Sequence, residues 1–151
     1  MPPKYLFNYF KGDWLVKRSF LSKNFESIGS AQGVAKFKMH GNDLFYDENI
    51  RLDLLCIKEM KSANQEYIYR YDATLNSISK YFISNAKFYD LVLSQENQTK
   101  MQKAYGKHKC CHDLYKASYF FINSSKYILK YYVYGPNKEL HIYSEYIRIS
   151  G

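Results

Sequence analysis

The chain has 151 residues, and 22 Lys and Arg against 14 Asp and Glu give a formal net charge of +8. That length suits one domain, residues 1–151, with its own core. The positive charge is spread along the chain with no block of five or more basic residues, which argues against a nucleic-acid face. No run approaches the roughly 18 apolar residues of a spanning helix, and "MPPKYLFNYFKGDW" lacks the apolar core of a secretory signal. The three cysteines are Cys56, Cys110 and Cys111; an odd count with two adjacent members is a poor disulfide framework and reads as reduced thiols of a cytoplasmic protein.

In chain order, "YLFNYFKG" at 5–12 is a short helix or the lead-in to a strand. Beyond it come short runs rich in Tyr, Ile, Phe and Val, each broken by turn residues, which is the pattern of strands. They fall near 13–20, 32–39, 42–47, 50–57, 66–72, 76–82, 86–93, 107–121, 126–134 and 139–149. Breaks such as "HGND", "YDEN", "DATLNS" and "YGPNKE" are short enough for hairpins. The expected fold is all-β: one up-and-down antiparallel barrel of about ten strands, with at most a short N-terminal helix. Closure removes the open edges that such a meander would present.

Alternation assigns the faces. In 139–149 the set Leu140, Ile142, Ser144, Tyr146 and Arg148 points inward, and in 126–134 the inward set is Tyr127, Leu129, Tyr131 and Val133. In the first strand Trp14, Val16, Arg18 and Phe20 share a face, so Arg18 also points in. A buried charge needs a partner, which predicts either a protein carboxylate such as Glu48 or the anionic group of a ligand.

The sequence also carries motifs at specific places. "FKGDWLVKR" contains Phe10, Gly12, Trp14 and Arg18, the Gly-x-Trp opening of a lipocalin-type barrel. Gly33, Ala35 and Phe37 follow, then Leu44, Tyr46 and Glu48, then Tyr67, Tyr69 and Arg70. Further on stand His108, Cys110, Asp113, Tyr115, Tyr119 and Phe121, and the chain closes with Val133, Gly135, Pro136, Lys138, Ser144, Tyr146 and Arg148. Through these residues the chain resembles a family of small lipocalin-like domains of unknown function, over nearly its whole length. It departs from that pattern at Tyr89, where the family has histidine, and at Asn137, Glu139 and Leu140. The resemblance implies a barrel and supplies no activity. By analogy with lipocalin-type barrels it implies that Arg148 covers Trp14.

The segment "HKCCHDLY" gathers the donors His108, Cys110, His112 and Asp113. A zinc site requires about four ligands, and no second pair follows at a distance; haem or a metal ion at His108 and Cys110 is the lesser alternative to no cofactor. A β-bulge at Cys111 and His112 would place His108, Cys110, Asp113 and Tyr115 on one inward face and His112 outside. Cys56 and Cys110 read as buried, inert thiols.

The leading expectation is a barrel that binds a small, largely apolar ligand with an anionic or hydrogen-bonding end. Its candidate ligand-binding residues are Trp14, Arg18, Tyr69, Arg70, His108, Cys110, Asp113, Tyr115, Tyr131, Lys138, Ser144, Tyr146 and Arg148. Two rivals remain: an enzyme on the same barrel using His108 and Asp113 as acid and base with Tyr115 as donor, and a filled barrel that acts through its basic outer surface.

Overall fold

In the computed structural model, which describes residues 1–55, 58–94 and 102–151, every strand is antiparallel to its neighbours in sequence. A helix α1 (Pro3–Tyr9) leads into β1 (Gly12–Ser22), β2 (Ser27–His40), β3 (Asp43–Leu54), β4 (Lys61–Asp72) and β5 (Ser77–Phe82). Then follow β6 (Lys87–Leu93), β7 (Gln102–Cys110), β8 (Asp113–Asn123), β9 (Lys126–Gly135) and β10 (Lys138–Ser150). The last strand pairs with the first, with Arg18 opposite Ser144 and Trp14 opposite Arg148, so the ten strands form a closed barrel. Among the described residues no helix is long and apolar enough to cross a membrane.

The count of ten strands matches the expectation, but β2 and β4 begin five residues early, at Ser27 and Lys61, so "SIGSAQG" and "KSANQ" are strand rather than breaks, and two segments divide differently. The segments 42–47 and 50–57 are one strand, β3, through Leu54; Cys56, expected in it as an inert thiol, lies outside the described residues. "YDEN" reads as a turn because Asp, Glu and Asn are turn residues. In the fold it runs straight on. Glu48 points inward to a cation, while Asp47 and Asn49 point outward and accept hydrogen bonds from the Asn64 amide.

The segment 107–121, expected as one strand with a bulge, is instead a hairpin. Cys111 and His112 form a two-residue turn between β7 and β8, with Cys110 opposite Asp113 and His108 opposite Tyr115. Cys111 takes φ 57, a backbone region costly for a side chain other than glycine or asparagine. No glycine or asparagine marks this turn, which is why the local sequence hides it.

The barrel is closed at one end by α1. Proline at its first turn is tolerated because the missing N–H has no partner there in any case. Leu6, Phe7 and Phe10 are buried. Phe10 stacks on Phe37 at 5.2 Å and meets Tyr69 at 5.1 Å and Tyr127 at 5.5 Å. These rings, with Trp14, Tyr119 and Phe121, fill that half of the interior with aromatic side chains. The opposite end carries the β1–β2, β5–β6, β7–β8 and β9–β10 turns and is not covered by the helix.

Candidate functional site

Above the aromatic half lies a cavity of about 610 Å³. Its walls are Phe20, Ile50, Leu52, Leu54, Ala63, Phe82, Phe88, Leu129 and Ile142, with His108, Cys110 and Tyr115 towards the mouth. Its floor is polar: Arg18, Ser144, Tyr146, Tyr46, Lys80 and Tyr131. Each floor residue follows from strand parity. A strand that presents apolar side chains to the interior carries every second residue inward, whatever its chemistry.

Two polar groups organise the floor. In the first, Arg18 forms a fork-to-fork pair with Glu48, with Nη1 donating to Oε2 at 2.9 Å and Nη2 to Oε1 at 2.6 Å. Arg18 Nε donates to Ser144 at 2.7 Å and Nη2 also donates to Tyr146 at 3.1 Å. Tyr46 donates to Glu48 and shares a 2.8 Å hydrogen bond with Tyr146. Glu48 is fully buried, and its negative charge is matched within the protein. Burial works against the Arg18 charge, but Tyr146, Glu48 and Tyr46 outweigh it and raise its pKa. Burial pushes the Tyr146 phenol up to about 12, with Arg18 pulling the other way.

The second group centres on Lys80, which is 3% exposed. Its ammonium donates to the Tyr131 hydroxyl at 2.9 Å and lies 4.0 Å from the centre of the Tyr67 ring. The rings of Tyr69, Phe88 and Tyr89 stand 5.4–5.6 Å away. Tyr131 shares a 2.6 Å hydrogen bond with Tyr89, Tyr89 one with Tyr119, and Tyr119 one of 2.9 Å with Tyr69. Burial pushes the Lys80 ammonium down to about 7; Glu48 resists that shift and Arg18 adds to it.

The structure places the sequence candidates in five different settings. Arg18, His108, Cys110, Tyr115, Tyr131, Ser144 and Tyr146 line the cavity. Trp14 and Tyr69 are buried in the aromatic half below it. Arg70 is on the outer face, paired with Asp43 at 2.9 Å and lying 4.5 Å over the Tyr81 ring; its neighbour Tyr69 takes the inward position, so parity sends Arg70 out. Arg148 sits beneath the barrel, 4.2 Å from the Trp14 ring centre.

Asp113 also differs from expectation. It shares a face with His108, Cys110 and Tyr115, but at the rim rather than inside, 3.3 Å from Lys138. Lys138 is itself partly exposed there and reaches the Tyr115 hydroxyl at 3.3 Å. The reason is position along the strand: Asp113 is the first residue of β8, level with the barrel's end. Among the described residues no hydrogen bond joins His108, Asp113 and Tyr115 to one another; the His108 and Tyr115 ring centres stand 6.3 Å apart. Cys110, expected to be buried, is free and exposed because it ends β7 at the rim opposite Asp113, and Cys111 in the turn is free and exposed as well. Among the described residues no group of three or more His, Cys, Asp or Glu converges as metal ligands would.

Lys80 escapes the sequence reading, although a signal exists. In "SISKYF" it shares parity with Ile78 and Phe82, both apolar and inward, so a lysine stands on a buried face. Tyr89, singled out only as a departure from a family pattern, proves to be part of the hydroxyl chain beside it.

A family model described as a family of unknown function (DUF6314) matches residues 10–148. The chain belongs to that family. Every member of the Arg18 and Lys80 groups falls within the matched span. No curated protein matches the chain. Among solved structures, the barrel is similar to that of the S-type phycobiliprotein lyase CPES from Guillardia theta, at 7% identity and a TM-score of 0.71, covering 100% of this chain and 94% of that one. At that identity the likeness concerns the fold.

Proposed function

We propose that the protein binds a small, largely apolar molecule inside the barrel, with an anionic or hydrogen-bonding end directed to the floor. One observation carries this reading: a cavity of about 610 Å³ with apolar walls ends on a floor where Arg18, Lys80, Ser144, Tyr131 and Tyr146 converge. Ligand sites are commonly 300–1,000 Å³, mostly apolar, with a few placed polar groups. Because Glu48 already neutralises Arg18, the cation open to a ligand is Lys80. The similarly folded protein is a phycobiliprotein lyase, which supports small-molecule handling in such a barrel without carrying its ligand to this chain. A barrel filled with side chains would leave no cavity of this size.

The test is a titration with 8-anilinonaphthalene-1-sulfonate, an apolar probe with an anionic end. We expect one saturable site in the native protein and its loss in Ala63→Trp, which fills the cavity from β4. Equal binding by both proteins would place the probe elsewhere and defeat the reading. Native mass spectrometry of protein purified from its own cells then identifies the retained molecule.

A further inference from the structure

We propose that Lys80 is an amine nucleophile that captures an apolar aldehyde entering the cavity, holding it as an imine. The inference rests on the reading of the cavity as a small-molecule site and adds the chemical class of its ligand and a covalent step.

Four observations meet at this side chain. Among the described residues Lys80 is the one buried lysine. It also lines the cavity rather than being sealed in the core. Its amine has no carboxylate partner within ion-pair distance among the described residues; the nearby carboxylate of Glu48 is taken up by Arg18. A buried lysine kept only for stability would be paired, and this one has a phenol and ring faces instead. A free amine near neutral pH needs such surroundings, since desolvation disfavours the ammonium; here burial outweighs Glu48, which resists it, and Arg18 adds to it, so the amine is brought down to about 7.

The chemistry balances with the groups present. The lone pair of neutral Nζ adds to the aldehyde carbon, and the carbonyl oxygen takes a proton, giving a carbinolamine. Loss of water from that carbon forms the C=N bond. The sum is one amine plus one aldehyde giving one imine plus one water, with no oxidant or reductant. Tyr131, 2.9 Å from Nζ, is placed to pass protons between nitrogen and oxygen, with Tyr89 and Tyr119 continuing the chain of hydroxyls behind it. The aromatic surround of Tyr67 and Phe88 suits a flat apolar carbon skeleton and accommodates the cationic imine against ring faces. A simple anion would gain from Lys80 only where it is protonated, whereas imine formation uses the neutral amine.

The experiment uses 2-naphthaldehyde with sodium cyanoborohydride, followed by peptide mass spectrometry of the intact chain's digest. At pH 7.5 we expect one dominant naphthylmethyl adduct, on Lys80, forming at least tenfold faster than on any surface lysine. Lys80→Met should lack it while keeping a cooperative urea melt. The groups facing Lys80 are Arg18 of β1, Tyr46 and Glu48 of β3, Tyr67 and Tyr69 of β4, Phe88 and Tyr89 of β6 and Tyr131 of β9. Of these the phenols titrate well above neutrality, so the Lys80 labelling rate should rise through pH 7 and level off, while surface lysines keep accelerating to pH 10. Adducts spread evenly over surface lysines, or an undiminished adduct pattern in Lys80→Met, would overturn the proposal. Probe binding without Lys80 labelling overturns the covalent step and leaves the cavity reading standing; loss of both overturns the two together.

Discussion

Arg18 and Glu48, thirty residues apart in sequence, meet inside the barrel through two parallel hydrogen bonds of 2.9 and 2.6 Å. Removing one partner leaves a buried charge uncompensated, which costs about 3–5 kcal/mol. Arg18→Met and Glu48→Leu should each show that loss in urea melts. The double variant should be more stable than either single one, because no lone charge remains. A double variant as unstable as the sum of the singles would mean that the pair acts chiefly through its other bonds, to Ser144, Tyr46 and Tyr146.

Lys80 makes stability depend on pH in a definite direction. Its pKa is lowered to about 7 from 10.5, so between those values the unfolded chain holds a proton that the folded chain does not. Raising pH through that window therefore favours the folded state, by up to about 1.4 kcal/mol per pH unit. Below pH 7 both states are protonated and the slope from this group vanishes. Lys80→Met lacks the term, so its advantage over the native protein should be largest at pH 6 and shrink steadily towards pH 10. Urea melts at four pH values measure it; a constant difference would show that Lys80 titrates as an ordinary exposed lysine.

Trp14 and Arg148 give a third expectation. The guanidinium covers the indole and donates to the carbonyls of Tyr9 and Lys11 at 2.6 Å and of Ser124 at 3.0 Å, tying α1 and the β8–β9 turn to the barrel's closed end. Arg148→Ala should cost about 1–3 kcal/mol, and Arg148→Lys should restore only part, since an ammonium cannot span three carbonyls. Trp14 is the only tryptophan, so its emission reports this site directly and should shift to the red in Arg148→Ala.

At the other end, Asp113 and Lys138 form a rim pair with side chains 31% and 42% exposed. Such pairs contribute about 0–1 kcal/mol. Asp113→Ala should stay within that range, and His112→Ala within about 0.5 kcal/mol, as surface changes usually do. Thermal melts of both decide it. A loss of several kcal/mol in Asp113→Ala alone would mean that the carboxylate is buried in solution.

The barrel was legible because its signals are local. Short alternating runs with hairpin breaks give antiparallel strands, and parity turned Arg18, Ser144, Tyr131 and Tyr146 inward; the need to pair a buried cation then offered Glu48 or a ligand's anionic group, and the structure holds Glu48. The errors were local too. "YDEN" has turn composition but continues β3, because the pairing of Glu48 with Arg18 is a long-range gain that no window of residues contains. Cys111 and His112 have no turn composition but form one, because the flanking strands, each held by its other neighbour, require the reversal.

The sequence by itself determined the strand period, the inward faces and the approximate strand count, since each depends on residues a few positions apart. Only the tertiary structure decided depth along the barrel axis. Parity cannot distinguish the rim from the floor or the floor from the aromatic half, so Asp113, Tyr131 and Tyr127 all read alike as inward residues. Depth is set by strand stagger and by where α1 inserts Leu6, Phe7 and Phe10, which together leave one half packed and the other hollow. That is why Lys80, on a strand of six residues, ends beside Tyr131 on the cavity floor rather than at a solvated edge.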